Sequence, residues 1–416
     1  MIFGILTAVL ATGFGGALPE NDTWPEFRGP SGTGRSDARG LPLEWSESKN
    51  VVWKTPIHGR GWSSPVVWGR KIWLTTATPD GKELSVLCVD RDSGAVVLDS
   101  KIFEVSRPDE LWRKYNSYAS PTPVIEEGRV YVNFGSYGTA CLDTTTGEVL
   151  WSRRDLPCNH WRGAGSSPIL HENLLIIPFD GYDVQYVVAL DKKTGKTVWK
   201  ADRTHDFGTD DGDLKKSFST PTVIDVGGKP QLVTIAAKAA VALDPATGRE
   251  IWRVRYPNHS TGTRPLFGHG LVYLTNGSPP AQLLAIRPDG AGDVTSSHVA
   301  WSWNRGVGQK PSPLLVGDLI FLVHDAGGLV TCLEARTGSE VWRQRIGGRH
   351  SASPLFADGR VYVFGEDGVS VAFEPAREYK EVARNRLATG CMATPAVAGK
   401  AFYVRTETHL YRLEAR

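Results

Sequence analysis

Catalytic signatures are what this sequence has least of. There is no G-x-S-x-G run, so no serine nucleophile is presented on a strand-to-helix elbow. His171-Glu172 opens an H-E-x-x-H pattern, but Leu175 stands where the second zinc ligand belongs. No P-loop and no complete G-x-G-x-x-G occurs, which removes the common phosphate and dinucleotide cradles. The five cysteines never fall in C-x-x-C, so neither a thiolate zinc site nor a haem attachment site is written here. Charge of one sign is lacking too: 47 Lys and Arg face 45 Asp and Glu, a net of +2. That balance, with no block of like charges, argues against nucleic acid as a partner.

Long apolar runs are also scarce. The one at the start, MIFGILTAVLATGFGGA, resembles the core of a signal peptide, with Gly15 and Ala17 suiting cleavage after small residues. It is too short and too glycine-rich for a membrane span, and no Lys or Arg precedes Arg28 to make a positive flank. The expectation is a signal peptide over 1–17, a mature chain from Leu18, an extended leader over 18–50 lying on the domain, and a periplasmic or otherwise exported address. No cysteine lies near position 20 to take a lipid.

What the sequence has in abundance is turns and aromatics: 45 Gly and 14 Trp, against only 2 Met. They are periodic. Residues 120–151 read as four short strands: an apolar run after Pro123, the alternating VYVNF, then TACL, then EVLW closing on Trp151. Turns separate them, the tightest being D-T-T-T-G at 143–147, where glycine adopts positive φ at little cost. The opening proline recurs at Pro65, Pro168, Pro221, Pro265, Pro313, Pro354 and Pro395. The D-x-x-x-G turn recurs at Gly94, Gly195 and Gly248, with Glu334 and Gly338 as a variant. Closing aromatics follow at Trp199, Trp252 and Trp342, with Leu98 and the more loosely spaced Trp301 in equivalent places. Eight such units predict an all-β, eight-bladed β-propeller of four-stranded antiparallel blades over 51–416. The last unit is one strand short, and 51–57 has no blade of its own. The expectation is that this N-terminal strand closes the ring against 408–413, with Trp53 as its closing aromatic. Cys88, Cys141 and Cys332 share one repeat position on different blades, so they are expected to be buried and unpaired.

The turn and closing words resemble the pyrroloquinoline-quinone-type (PQQ-like) propeller repeat, A-L-D-x-x-T-G-x-x-x-W, over residues 24–416. WPEFRGP at 24–30 also resembles the leader of PQQ-like propeller proteins of some bacteria. The resemblance implies the fold. For function it implies two things, because the repeat builds alcohol and sugar dehydrogenases and also a non-enzymatic outer-membrane assembly factor. The quinone-dependent alcohol dehydrogenases typically carry two adjacent cysteines over the cofactor and Ca²⁺ ligands beneath it. No Cys-Cys pair exists here, although some sugar-oxidising relatives lack it as well. The expectation is therefore an exported, non-catalytic binding or scaffold propeller with no cofactor. The alternative is a PQQ- and Ca²⁺-dependent dehydrogenase of alcohols or sugars, and a carbohydrate-degrading or carbohydrate-binding accessory is a third reading.

Function is usually grafted onto inter-blade insertions, and three stand out. Residues 100–117 carry Arg107, Trp112, Arg113 and Tyr115; 156–165 read LPCNHWRGAG; 201–217 carry Asp202, Asp206, Asp210, Asp211 and Asp213. The last has the composition of a turn rather than the spacing of a calcium loop. A longer hairpin is expected over 287–300. First strands of propeller blades are innermost, so residues just before each opening proline should ring the channel. Those slots hold Arg60, Trp62, Tyr118, Trp161, Arg162, Phe218, Arg264, Lys310, Arg349, His350 and Met392. An aromatic and cationic ring suits a small anionic ligand or an acidic side chain of a protein partner at one face. The buried charge is expected to be offset by a bound anion, an acidic partner side chain or ordered water at the mouth, or alternatively by the carboxylates of 201–217 folded over the ring. The bland reading is that these residues only plug the axis.

Overall fold

The computed structural model describes residues 22–111, 115–278 and 280–416. The signal-peptide expectation, Trp112 and Arg113 lie outside the described residues. Eight sheets, each with four antiparallel strands at its heart, form a propeller, and no α-helix occurs among the described residues. Blade 2 shows the unit: Val124–Glu126, Arg129–Asn133, Thr139–Asp143 and Val149–Arg153. Blade 8 is composite. Val51–Pro56 pairs antiparallel with His409–Glu414, Val51 opposite Leu413 and Pro56 opposite His409, so chain start and chain end share one sheet. Closure of this kind leaves no sheet edge between first and last blades.

Two devices lock neighbouring blades together. Trp53, Trp151, Trp199 and Trp301 pack on the next blade's turn glycine, and closing tryptophans donate their indole N–H to a turn carbonyl. Trp53 reaches Arg91 O at 3.0 Å, Trp151 reaches Lys192 O at 3.0 Å, Trp199 reaches Pro245 O at 3.0 Å and Trp342 reaches Ala376 O at 2.9 Å. A Cβ on Gly195 would stand 2.6 Å from the Trp151 ring, so only glycine lets the ring settle there. Trp252 is the exception. Its N–H goes to Gln231 Oε1 at 2.8 Å, and Gln231 relays to Pro288 O in the fifth unit.

The second device surrounds the axis. The residue before the opening proline is Ser64, Thr122, Ser167, Thr220, Ser312, Ser353 or Thr394 in seven blades and Arg264 in the fifth. Each hydroxyl that accepts does so from the backbone N–H of the preceding blade. Six links are made: Ser64 to Thr122, Thr122 to Ser167, Ser167 to Thr220, Arg264 to Ser312, Ser312 to Ser353 and Ser353 to Thr394, all 2.9–3.0 Å. Every one of these side chains is buried.

In all eight blades the fourth strand shifts register beside the closing position, which is Leu98 in blade 1, Ala383 in blade 7 and a tryptophan in the others; in blade 2, Val149 faces Leu142 while Trp151 faces Cys141. The extra residue is a β-bulge, which raises the local twist. In blades 1 to 3 it leaves Val97, Leu150 and Val198 exposed. All five cysteines are buried and free.

The longer hairpin expected over 287–300 is present: Leu283–Ile286 pairs antiparallel with Val299–Trp303, and from the loop between them Gly292–Asp293 pairs in parallel with the outer strand Glu250–Arg255 of blade 4. One expectation is corrected: the leader does not simply lie on the propeller. Thr23–Trp24 adds to the inner edge of blade 1, Pro25 O accepts from Ile125 of blade 2, and the chain crosses to blades 5 and 6. There Arg28, fully buried, donates to the carbonyls of Gly32, Thr33, Ser312 and Pro313 at 2.8–3.2 Å. The chain leaves past Phe356 of blade 7, and Trp45 packs against Tyr362, Phe364 and Phe402. The physical reason is the empty axis: eight inner strands leave a channel that must be filled, and the leader fills one end.

Candidate functional site: the channel mouth

At the other end the channel stays open as a cavity of about 440 Å³. Its walls come from all eight blades, starting with the hydroxyl ring (Ser64, Thr122, Ser167, Thr220, Thr394), and Phe27 of the leader lines it as well. Of the slots identified in the sequence, Trp62, Arg162, Phe218, Lys310 and Met392 line the cavity. The others do not. Arg60 stacks its guanidinium on Trp62 at 5.2 Å and bridges to Ala77. Tyr118 turns away to donate to Asp109 O at 2.7 Å. Trp161 sits on the rim, partly exposed and edge-on to Tyr182. His350 is buried with its ring nitrogens facing Phe364 O (3.1 Å) and Gly347 O (2.8 Å), a structural role. Arg349 is half-exposed and paired with Glu366 at 3.3 Å.

Arg264 is the clearest departure. It points into the leader, not the mouth, pairing with Glu26 at 2.9 Å and donating to Phe27 O at 2.7 Å and Thr222 Oγ1 at 3.1 Å. Burial raises the Glu26 carboxyl against the pull of Arg264. Arg28 next to it is pushed down to about 9 by burial and by the Arg264 charge. This pair of cations belongs to the plug.

The remaining cations form two clusters, each built around a carboxylate. In the first, Asp213 accepts from Arg162 (3.0 Å) and Lys216 (2.8 Å). Asp213 lies on the short 3₁₀ turn Gly212–Lys215, capped by Asp211, so 201–217 does fold over the ring. Lys216 is the residue that counting slots missed. Its side chain is 1% exposed. It donates to Trp161 O at 3.0 Å and lies over the Trp161 ring (4.9 Å) and the Phe218 ring (5.6 Å). Burial lowers its ammonium pKa, with Asp213 acting the other way. Arg162 stacks on the same indole at 4.5 Å and has a left-handed φ of 84°, which for a long side chain is strained. In the second cluster Glu366 accepts from Ser351 (2.5 Å), Lys310 (3.5 Å) and Arg349 (3.3 Å). Burial alone would raise this carboxyl; the Ser351 hydrogen bond and the two cations bring it below its ordinary value.

Among the described charged side chains lining the cavity, three are cations (Arg162, Lys216, Lys310) and one, Asp213, is a carboxylate. Trp62, Phe218 and Phe27 add apolar rings. Such a site can hold an anionic group by charge and a flat body by stacking. Its fit to a quinone with Ca²⁺ is poor. Asp213 is committed to two cations, and the Asn116 amide oxygen accepts from Ser117 and Ser120. No three His, Cys, Asp or Glu side chains converge among the described residues.

These features define a plugged eight-bladed propeller with a cationic, aromatic mouth. The family described as outer membrane protein assembly factor BamB matches residues 47–291 and again 237–406, and the chain belongs to this family of PQQ-like β-propellers. A curated relative, tetrathionate hydrolase of Acidithiobacillus ferrooxidans, is 22% identical over 329 residues, 73% of this chain. The match spans 62% of that relative's length. Among solved structures, quinohemoprotein alcohol dehydrogenase from Comamonas testosteroni superposes with a TM-score of 0.68 at 12% identity, covering 96% of this chain and 81% of that one. BamB from Moraxella catarrhalis gives 0.62 at 13% identity, covering 88% and 97%. No described helix is long and apolar enough to cross a membrane.

Proposed function

We propose that this chain is an exported binding propeller without catalysis of its own, and that its channel mouth takes an anionic group from a small ligand or from an acidic partner side chain. The observation that supports this reading is the surplus of cations over carboxylates in a partly apolar, axial cavity. Low-dielectric walls focus such charges onto the space between them. Two of the similar proteins bracket the reading: BamB carries assembly in its family description, and tetrathionate hydrolase carries an anion in its name. A PQQ-dependent dehydrogenase remains the alternative, favoured by the superposition on an alcohol dehydrogenase and opposed by the committed donors of the cavity.

The test is a thermal-shift series with chloride, phosphate, acetate, citrate and tetrathionate at constant ionic strength, run beside protein incubated with PQQ and Ca²⁺. Anion-specific stabilisation that disappears in Lys310→Met supports the mouth. Dye-linked oxidation of an alcohol or sugar after PQQ loading overturns the non-catalytic reading. Export is tested by N-terminal sequencing of the protein from its host; intact Met1 in a cytoplasmic fraction removes it.

A further inference from the structure

The two clusters at the mouth differ in position but share a design. Arg162 and Lys216 stand before blades 3 and 4, while Lys310 and Arg349 stand before blades 6 and 7. In a ring of eight those places are three blades apart, close to opposite sides of the axis. Each cluster clamps one carboxylate between two cations, Asp213 in the first and Glu366 in the second. Both carboxylates come from this chain, and both show that their cation pair has the spacing to hold a carboxylate from two sides. Counting the paired side chains alone, each cluster holds one more cation than carboxylate; Asp211 also acts on Lys216 through space, and Asp325 faces the backbone N–H groups of Gln309 and Lys310. Lys216 and Lys310 both line the same cavity, so one small molecule in it meets both surpluses.

We infer that the preferred ligand of the mouth is a linear dianion, with an acidic group at each end and an apolar body between, such as an α,ω-dicarboxylate or a disulfonate. One end meets Arg162 and Lys216, the other meets Lys310, and the body crosses the axis beside Phe27, Trp62 and Phe218. This rests on the anion-binding reading above and narrows it to a ligand class. The physics is that of bivalency. Once one end is held, the second binds at a high effective concentration, provided the spacer matches the gap. A monoanion gains from one cluster only.

The test is isothermal titration of the full chain with paired probes at fixed ionic strength: butyrate against the C4 to C8 dicarboxylates, and propanesulfonate against ethane-, propane- and butanedisulfonate. Expected is an affinity for the best dianion about 100-fold above its monoanion, with a clear optimum in spacer length. Lys216→Met and Lys310→Met should each bring that dianion down to within about fivefold of the monoanion, because each variant removes one of two ends. Since Lys216 is buried, Lys310→Met carries the test if the first variant melts early. If monoanions and dianions bind equally, or if the advantage survives Lys310→Met, the dianion inference is wrong while the anion site stands. If no anion binds, both fail. A preference confined to the sulfonates or to the carboxylates identifies which acid the site is made for.

Discussion

Removing one hydroxyl from the axial ring should destabilise the propeller by an amount set by where its orphaned partner sits. Ser353 is the sharpest case. Its Oγ accepts the Ser312 N–H at 3.0 Å, both residues are buried, and neither lines the cavity. Ser353→Ala removes one oxygen and almost no volume. The loss is therefore the desolvation of a backbone N–H with no water to replace its partner, about 1–3 kcal/mol. Thr220→Val tests the contrast. It orphans the Ser167 N–H, but both residues border the cavity, where water can take over. Its cost should fall to about 1 kcal/mol or less. Blades 4 and 7 are far apart, so the double variant should lose the sum within about 0.5 kcal/mol. Urea denaturation followed by tryptophan fluorescence measures all three, with a second probe to check that the transition is one step. If Ser353→Ala is as stable as the parent, or Thr220→Val costs more than Ser353→Ala, the ring is incidental and its spacing before each proline has another cause.

Three further outcomes are expected. Trp199→Ala, which empties the wedge between blades 3 and 4 and frees the Pro245 carbonyl, should cost about 3–5 kcal/mol in denaturation while leaving mouth binding intact wherever the fold survives; a stable variant that loses an anion would contradict the separation of wedge from site. Arg264→Ala leaves Glu26 buried beside the plug without its partner and should cost about 3–5 kcal/mol, with a substantial part regained in Arg264→Ala/Glu26→Gln; no recovery would mean that Arg264 acts by packing alone. The Cys88, Cys141, Cys332 and Cys391 thiols are each raised from 9.0 to about 12, burial being the main cause. The unfolded chain then loses thiol protons first, so this stability is intact below pH 9 and erodes as pH climbs from 9 toward 12. At pH 10 each thiol contributes a loss of about 1.4 kcal/mol, and Cys391→Ala should show a smaller drop between pH 8 and 10 than the parent.

The fold was legible because each blade repeats its own punctuation. Proline fixed where first strands begin, the turn glycine fixed the 3–4 turn, and the unpartnered strand around Trp53 had one place to go. The hydroxyl ring was just as visible, since Ser or Thr precedes seven of the eight opening prolines. The bulkier charged and aromatic residues upstream carry the stronger chemical signal. The site was legible only in part, for reasons of tertiary structure. Arg264 occupies a mouth slot of the repeat, but Glu26, far away in sequence, draws it to the other end. Nothing local announced Arg28, whose carbonyl partners Ser312 and Pro313 are 284 and 285 residues away. Lys216 lies outside the slots counted before Pro221, and its burial depends on how 201–217 folds back to place Asp213. By composition that loop's aspartates suit turns and an internal counter-charge equally. Asp213 does serve as counter-charge, to two cations at once.

The anion-binding mouth is tested most directly by crystals of the protein soaked in bromide and in bromoacetate, with anomalous scattering locating each bromine. Expected is a strong peak inside the axial cavity, in contact distance of Lys310 or of the Arg162–Lys216 pair, that is absent from crystals of Lys310→Met/Lys216→Met. Bromine found only at scattered surface arginines, with the cavity clear of it in every soak, would contradict the anion site.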